Sequence, residues 1–318
     1  MTRPSTLLGD RALLSYKQIR VKNPVIIGSR GSDLALWQAH FVQQQLSEIG
    51  VSSSIEIIKT KGDTIQHLSF DKIEGKGFFT KEIEDALLAG TIDLAVHSHK
   101  DLETNSPQGL IIAAVSERAD ARELLLIHPD AVDASAPWQF KKEARIGTSS
   151  ARRKAQLLHA RPDAVAVDIR GNVPTRVQKL RNGEFDAILL AKAGVDRLQL
   201  DLSDLHVLPL DVSELVPAPA QGVLALQTRS DDATLITALN SLNAHTVQRN
   251  IHIERRVLNR LQGGCQLPLG VHANYQDNHF HVWVAFAKSW NSPILKFDIA
   301  GTDESQLIEQ ILIRINQS

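Results

Sequence analysis

Three short stretches gather arginine and hydroxyl side chains where an apolar run gives way to an amphipathic one: GSRGSDLAL (28–36), GTSSARRK (147–154) and DIRGNVPTR (168–176). That pattern is a strand entering a helix. A helix N-terminus presents unpaired N–H groups and favours anions. Arg30, Arg152, Arg153, Arg170 and Arg176 add planar guanidinium forks that match carboxylates bidentately. One such arginine is ordinarily a solvated surface residue. Five at corresponding turns predict a shared site for a polyanion, carboxylate or phosphate. In AVHSHKDLE (95–103), Lys100 and Asp101 follow a buried strand and are expected to emerge near the same cleft. An Asp there is commonly a turn cap. Among arginines it can also stabilise a cationic intermediate or accept a substrate N–H. His97 and His99 alternate along the strand and point the same way, but no third ligand accompanies them, so no metal is expected. FDKIEGKGFF (70–79) reads either as a flap carrying Lys72 and Lys76 over the cleft or as a plain surface loop. The single cysteine, Cys265, lies in NRLQGGCQLPLG (259–270), behind two glycines that let a bend hold a thiol in the open. A free cysteine is otherwise most often a small buried hydrophobe.

These residues need a scaffold, and the chain alternates strand and helix patterns to supply one. PVIIGSR (24–30), SSIEIIKT (53–60) and IDLAVHS (92–98) read as strands; SDLALWQAHFVQQQLSEIG (32–50) and FFTKEIEDALLAG (78–90) read as helices closed by Gly50 and Gly90. The pattern restarts at 144 with ARIGTSSARRKAQLLHAR, AVAVDIRGNVPTRVQKLRNG and FDAILLAKAGVDRLQL. LVPAPAQGVLALQTR (215–229) looks like a segment crossing back toward the first block. A helix from His245, two strands and a closing amphipathic helix make a small α+β unit. The expected fold class is α/β: two periplasmic-binding-protein-like α/β domains around a cleft, plus a small α+β C-terminal domain. The boundaries are 1–23 for an N-terminal extension, 24–118 with 214–232 for domain 1, 119–213 for domain 2, and 240–318 for domain 3.

With 318 residues, 43% hydrophobic and 22% charged, the chain can build real cores. A net charge of −1, 5% aromatics and no recognised nucleic-acid motif argue against a nucleic-acid partner. GKGFFTK (75–81) does not make a P-loop. One cysteine cannot form an internal disulfide, no apolar run is long enough to span a bilayer, and residues 1–24 do not read as a secretory signal. The expectation is a cytoplasmic protein with no membrane partner. Two α/β domains also suit a periplasmic-type anion receptor; that alternative predicts export and has no use for Cys265.

The stretches GSRGSDLALWQA, KIEGKGFFTKEIEDALL, DLAVHSHKDLE, IGTSSARRKAQL, DIRGNVPTRVQKL, FDAILLAKAGVDRL and LQGGCQLPLG, in that order, resemble the hydroxymethylbilane synthase (porphobilinogen deaminase) family. The resemblance implies a transferase of tetrapyrrole biosynthesis. It condenses four porphobilinogen molecules head to tail with loss of ammonia, on a covalent dipyrromethane primer, and water releases the linear tetrapyrrole. Each pyrrole carries an acetate and a propionate, which accounts for the arginine turns. The resemblance implies Asp101 as the catalytic carboxylate that binds pyrrole nitrogens and stabilises an azafulvenium-like intermediate, and Cys265 as the cofactor attachment. It implies carboxylate or pyrrole contacts by Arg30, Ser32, Lys100, Thr148, Ser149, Ser150, Arg152, Arg153, Arg170, Arg176 and Arg197, and an active-site loop carrying Lys72 and Lys76. A monomer is expected. Departures from the usual pattern fall at Asp33, His99, Glu103, Pro174, Ala220 and Gln227. A non-catalytic tetrapyrrole-binding relative is a further alternative, against which the retained Asp101 and Cys265 count.

Overall fold

The computed structural model describes residues 22, 24–60, 80–263 and 266–317. The chain lays down β1 (Val25–Ser29), β2 (Ser53–Ile57), β3 (Leu94–Ser98) and β4 (Leu110–Val115), then crosses to β5 (Glu123–Ile127), β6 (Arg145–Gly147), β7 (Val165–Val167), β8 (Ala187–Ala191) and β9 (His206–Leu210). It crosses back to β10 (Leu224–Arg229) and ends with β11 (Leu269–Gln276), β12 (His279–Phe286) and β13 (Leu295–Gly301). The first sheet has the order β2-β1-β3-β10-β4 and the second β7-β6-β8-β5-β9. The two share one plan. Three neighbouring strands run parallel, and a strand arriving from the other sheet, β10 or β5, inserts antiparallel beside them. The α/β reading of the sequence holds, and the segment 215–229 delivers β10 to the first sheet.

Helices cover the sheets with the faces their periodicity marks. α1 (Asp33–Glu48) buries Ala39, Val42 and Leu46 against Val25, Ile27 and Leu94, each large side chain contributing roughly 1.5–3 kcal/mol. α2 (Lys81–Leu88) buries Ile83 and Leu87. α3 (Ala151–Ala160), α4 (Val173–Arg181) and α5 (Lys192–Leu198) belong to the second block. α6 (Ala233–Asn240), past the end drawn at 232, packs Leu235 and Leu239 into the first sheet's core. α7 (His245–Arg260) and α8 (Glu304–Asn316) pack on the third, antiparallel sheet around Ile253, Val257, Phe280, Val282 and Ile311.

The two crossings touch. Ala119 N–H donates to Gly222 C=O at 3.1 Å. Gly222 has φ +86°, and a Cβ there would lie 2.6 Å from Ala119 O, so the contact requires glycine. The histidine pair departs from expectation. β3 ends at Ser98, so His97 and His99 do not share a strand face; His99 starts a single 3-10 turn, His99–Asp101.

Candidate active site

β3 delivers His97 and Ser98 to the end of the first sheet, and the turn that follows presents Lys100 and Asp101. Asp101 is exposed, while His99 and Leu102 on either side are buried and anchor the turn. His99 N–H donates to Val223 C=O at 2.9 Å. From behind, Arg255 of α7 donates to the carbonyls of His99 and Leu102, at 3.1 and 3.2 Å, and to that of Glu103. One helical turn on, Asn259 donates to Thr104 and Asn105, both at 3.0 Å. The helix entering the cysteine loop therefore holds the segment that carries Asp101.

Opposite lies the β1-to-α1 turn with Arg30 and Ser32. The Ser32 hydroxyl caps α1, accepting from Ala35 N–H at 3.4 Å. A cavity of about 100 Å³ opens between the two turns, lined by Arg30, Ser32, Gln38, His97, Ser98 and Asp101. Buried Gln38 reaches back from α1 to donate to Ser98 Oγ at 2.9 Å. The sequence reading did not single out Gln38, His97 or Ser98 as site residues, although each lies inside a stretch already quoted.

The second sheet brings its own turns. Thr148 is buried, and its Oγ1 accepts from Ser150 N–H at 3.3 Å. The Ser149 hydroxyl donates to Ile169 C=O at 2.9 Å and accepts from Ile169 N–H at 3.0 Å, which ties this turn to the one after β7. Ser150 caps α3 through Arg153 N–H. Arg170 and Arg176 follow β7, and Arg176 Nε donates to Gly171 C=O at 2.7 Å. Arg197 of α5 reaches the crossing segment, donating to Gly222 C=O at 2.9 Å, with its guanidinium 5.6 Å from the Trp37 ring of α1.

Arg152 and Arg153 are placed differently from an open carboxylate clamp. Both are buried, and they grip the two oxygens of Glu123 at 2.6 and 2.7 Å. Their remaining nitrogens reach Val216 C=O and Leu189 C=O, while Arg153 Nε is buried without a partner. Glu123 is wholly buried at the start of β5, and the sequence reading missed it. Desolvation pushes its carboxyl up, but the charges of Arg153, Arg152 and Lys100 outweigh this and hold it at about 2. Gln221 joins this cluster to the catalytic turn: its Nε2 donates to Glu123 at 3.0 Å and to Ala121 C=O at 2.8 Å, and its Oε1 accepts from Lys100 Nζ at 3.2 Å.

Cations outnumber anions here. Lys100, Arg152 and Arg153 surround the buried carboxylate of Glu123, with Asp101 as the other carboxylate acting on Lys100. Desolvation lowers the Lys100 and Arg152 pKa values, and it brings Arg176 and Arg197 down to about 10. Positive groups partly stripped of water and in excess of the nearby carboxylates are suited to a ligand carrying several carboxylates. No group of three or more His, Cys, Asp or Glu among the described residues is placed to hold a metal. Lys72, Lys76 and Cys265 lie outside the described residues.

A family model described as "Porphobilinogen deaminase, dipyromethane cofactor binding domain" matches residues 25–237, and one described as "Porphobilinogen deaminase, C-terminal domain" matches residues 249–289. The chain belongs to the porphobilinogen deaminase family. Relatives carrying the name porphobilinogen deaminase include one from a Nitratiruptor species, 42% identical over 88% of each chain. Another, from Sulfurimonas denitrificans, is 43% identical over 80% of each. Among solved structures, a periplasmic substrate-binding protein of an ABC transporter from Coxiella burnetii covers 70% of this chain and 94% of its own, at 14% identity and a TM-score of 0.43. The dipyrromethane cofactor of the porphobilinogen deaminase family fits the cation surplus, because each pyrrole ring brings two carboxylates. Several departures from the family's usual pattern are locally accommodated. Pro174 sits in the first turn of α4, where its missing N–H costs nothing. Asp33 adds negative charge at the start of α1. Ala220, by contrast, adopts φ +61°, a region that favours glycine, so this departure carries backbone strain. No helix among the described residues is long and apolar enough to cross a membrane.

Proposed function

We propose that the chain is a hydroxymethylbilane synthase, a transferase that joins four porphobilinogen molecules head to tail and releases the linear tetrapyrrole. The observation that carries this reading is the exposed Asp101 carboxylate on the wall of a cavity shared with Arg30, beside a buried node of three cations and one anion. Cys265 would hold the dipyrromethane through a thioether, and the bound cofactor would supply the nucleophilic pyrrole on which the chain is built. Asp101 accepts pyrrole N–H groups and offsets positive charge as ammonia leaves the substrate. Arg30, Arg170, Arg176 and Arg197 bind acetate and propionate groups, and Ser32, Thr148, Ser149 and Ser150 fix the turns that aim helix N-termini at them. Lys100 adds its charge beside Asp101. Arg152 and Arg153 supply positive potential from beside Glu123. Lys72 and Lys76 belong to a basic active-site loop. In this reading the enzyme is monomeric and cytoplasmic, with no membrane partner; the near-neutral net charge accords with the lack of a nucleic-acid partner, and the single cysteine with a reducing compartment.

Intact-mass spectrometry of the purified chain tests this. The expected result is a mass above the bare polypeptide by one dipyrromethane, absent in Cys265→Ser, together with turnover of porphobilinogen by the wild type alone. A bare-chain mass in a sample that turns over substrate would defeat the attachment; no turnover in a loaded sample would defeat the activity.

A further inference from the structure

Gln227, wholly buried on β10, bridges two groups from separate parts of the first domain. Its Nε2 donates to Glu84 Oε1 at 3.0 Å, and its Oε1 lies 3.1 Å from His97 Nε2. A carboxylate oxygen takes a hydrogen bond from the amide's NH₂ end, so the amide oxygen must face the imidazole. That oxygen can only accept. His97 Nε2 therefore carries a proton, and in the neutral ring Nδ1 keeps its lone pair. His97 lines the cavity beside Asp101, and with Nε2 committed to Gln227, Nδ1 is the ring's remaining polar atom.

The surroundings favour the neutral ring. Desolvation pushes His97 down to about 4, against the opposing bond to Gln227. The charged and titratable groups around it are Arg30 and Asp101 across the cavity, Glu84 on α2 behind Gln227, and buried His99 two residues along the chain. Glu84, half-buried, is raised by desolvation and lowered by the bond it accepts from Gln227.

We propose that Gln227 is a positioning residue which locks His97 as the Nε2–H tautomer, so that Nδ1 accepts a substrate N–H in the cavity next to Asp101. This rests on the functional reading above, because porphobilinogen supplies both pyrrole and aminomethyl N–H donors. Nitrogen-15 histidine spectra of the full chain read the tautomer directly, with His97→Asn identifying the signal among twelve histidines. The wild type is expected to show Nε2–H at neutral pH. Gln227→Met removes both bonds, and Nδ1–H signal should appear, with kcat/KM falling roughly tenfold. Gln227→Glu keeps an acceptor for Nε2–H but adds a carboxylate, which raises the His97 pKa; the acidic limb of kcat/KM should move to higher pH. A wild-type ring found as Nδ1–H or doubly protonated at neutral pH, or a Gln227→Met enzyme with unchanged kcat/KM, overturns the inference in an otherwise active protein. Absence of porphobilinogen turnover in the wild type overturns the functional reading instead, while the tautomer is still read from the spectra.

Discussion

Glu123→Gln is the sharpest perturbation of the buried charge cluster. Glu123 is fully buried and pairs with Arg152 at 2.6 Å and Arg153 at 2.7 Å. Its carboxyl is depressed from 4.5 to about 2, because the two guanidinium charges and Lys100 outweigh desolvation. A depressed carboxylate stabilises the fold fully above its unfolded pKa and loses that contribution as pH falls through the folded pKa. At about 1.4 kcal/mol per unit, the shift corresponds to about 3 kcal/mol at neutral pH, lost between pH 4.5 and about 2. An independent route gives the same size. Removing one partner of a buried ion pair costs about 3–5 kcal/mol, since the remaining charges stay buried and uncompensated. Urea unfolding followed by fluorescence suits the test, because Trp138 packs in the same core as Leu125 and Ile127 of β5. With a slope of about 3 kcal/mol per molar, the midpoint of Glu123→Gln should fall by about 1 M at pH 7. Toward pH 2.5 the difference from wild type should shrink. A difference below about 1 kcal/mol at neutral pH, or one that ignores pH, would refute the claim that Glu123 holds this cluster.

The other predictions concern the catalytic turn and the joint between domains. Asp101→Asn should lower kcat by about 10²–10³ while leaving the unfolding midpoint nearly unchanged, because the side chain is exposed; near-normal turnover would assign the chemistry elsewhere. Arg255→Ala should speed amide exchange across residues 99–105 and reduce kcat, since three carbonyls lose their donor; unchanged exchange would show that the turn holds itself. Glu254→Gln should cost about 3 kcal/mol or more, as this buried carboxylate pairs bidentately with Arg118 at 2.8 and 2.7 Å and accepts from Ala220 and Ala273 N–H. Differential scanning calorimetry measures that loss, and a shift of less than about 1 °C would count against a load on this joint.

Much of the scaffold was legible because it depends on local pattern. The period of Leu36, Ala39, Val42 and Leu46 marks α1, and the apolar run before Lys100 marks β3. The turns with Arg30, Thr148 and Arg170 were placed by the same logic, since a strand that ends where a helix starts must put its turn at the sheet's edge. What was not legible depends on distant partners. Glu123 opens a strand that enters the second sheet beside β8, and its value comes from arginines 29 and 30 residues later. No spacing rule links them. His99 was misplaced for a related reason: alternation in AVHSH continues one residue further in sequence than the strand does, because His99 N–H turns aside to Val223 of the crossing segment.

The crossing segment explains why so much of the site converges on one place. Ala220, Gln221 and Gly222 accept or donate bonds to all three parts of the chain: Ala220 N–H to Glu254 on α7, Gln221 to Lys100 and Glu123, and Gly222 C=O from Arg197 and Ala119. A segment with that many partners cannot move by itself. A displacement of the second block relative to this segment must break the Arg197–Gly222 and Gln221–Glu123 bonds, while the Ala220–Glu254 bond can stay. Arg197 ties the second block to Gly222, and Gln221 ties the crossing segment to Glu123 of that block and to Lys100 of the first; a ligand carboxylate can replace Gly222 C=O as the acceptor for Arg197. Filling the cleft with carboxylates therefore competes directly with the Arg197–Gly222 bond. Arg197→Lys keeps the charge but loses the fork, so it should weaken binding of the polycarboxylate chain while retaining the wild-type unfolding midpoint within about 0.5 kcal/mol; equal product binding by the two proteins would show that Arg197 serves the joint alone.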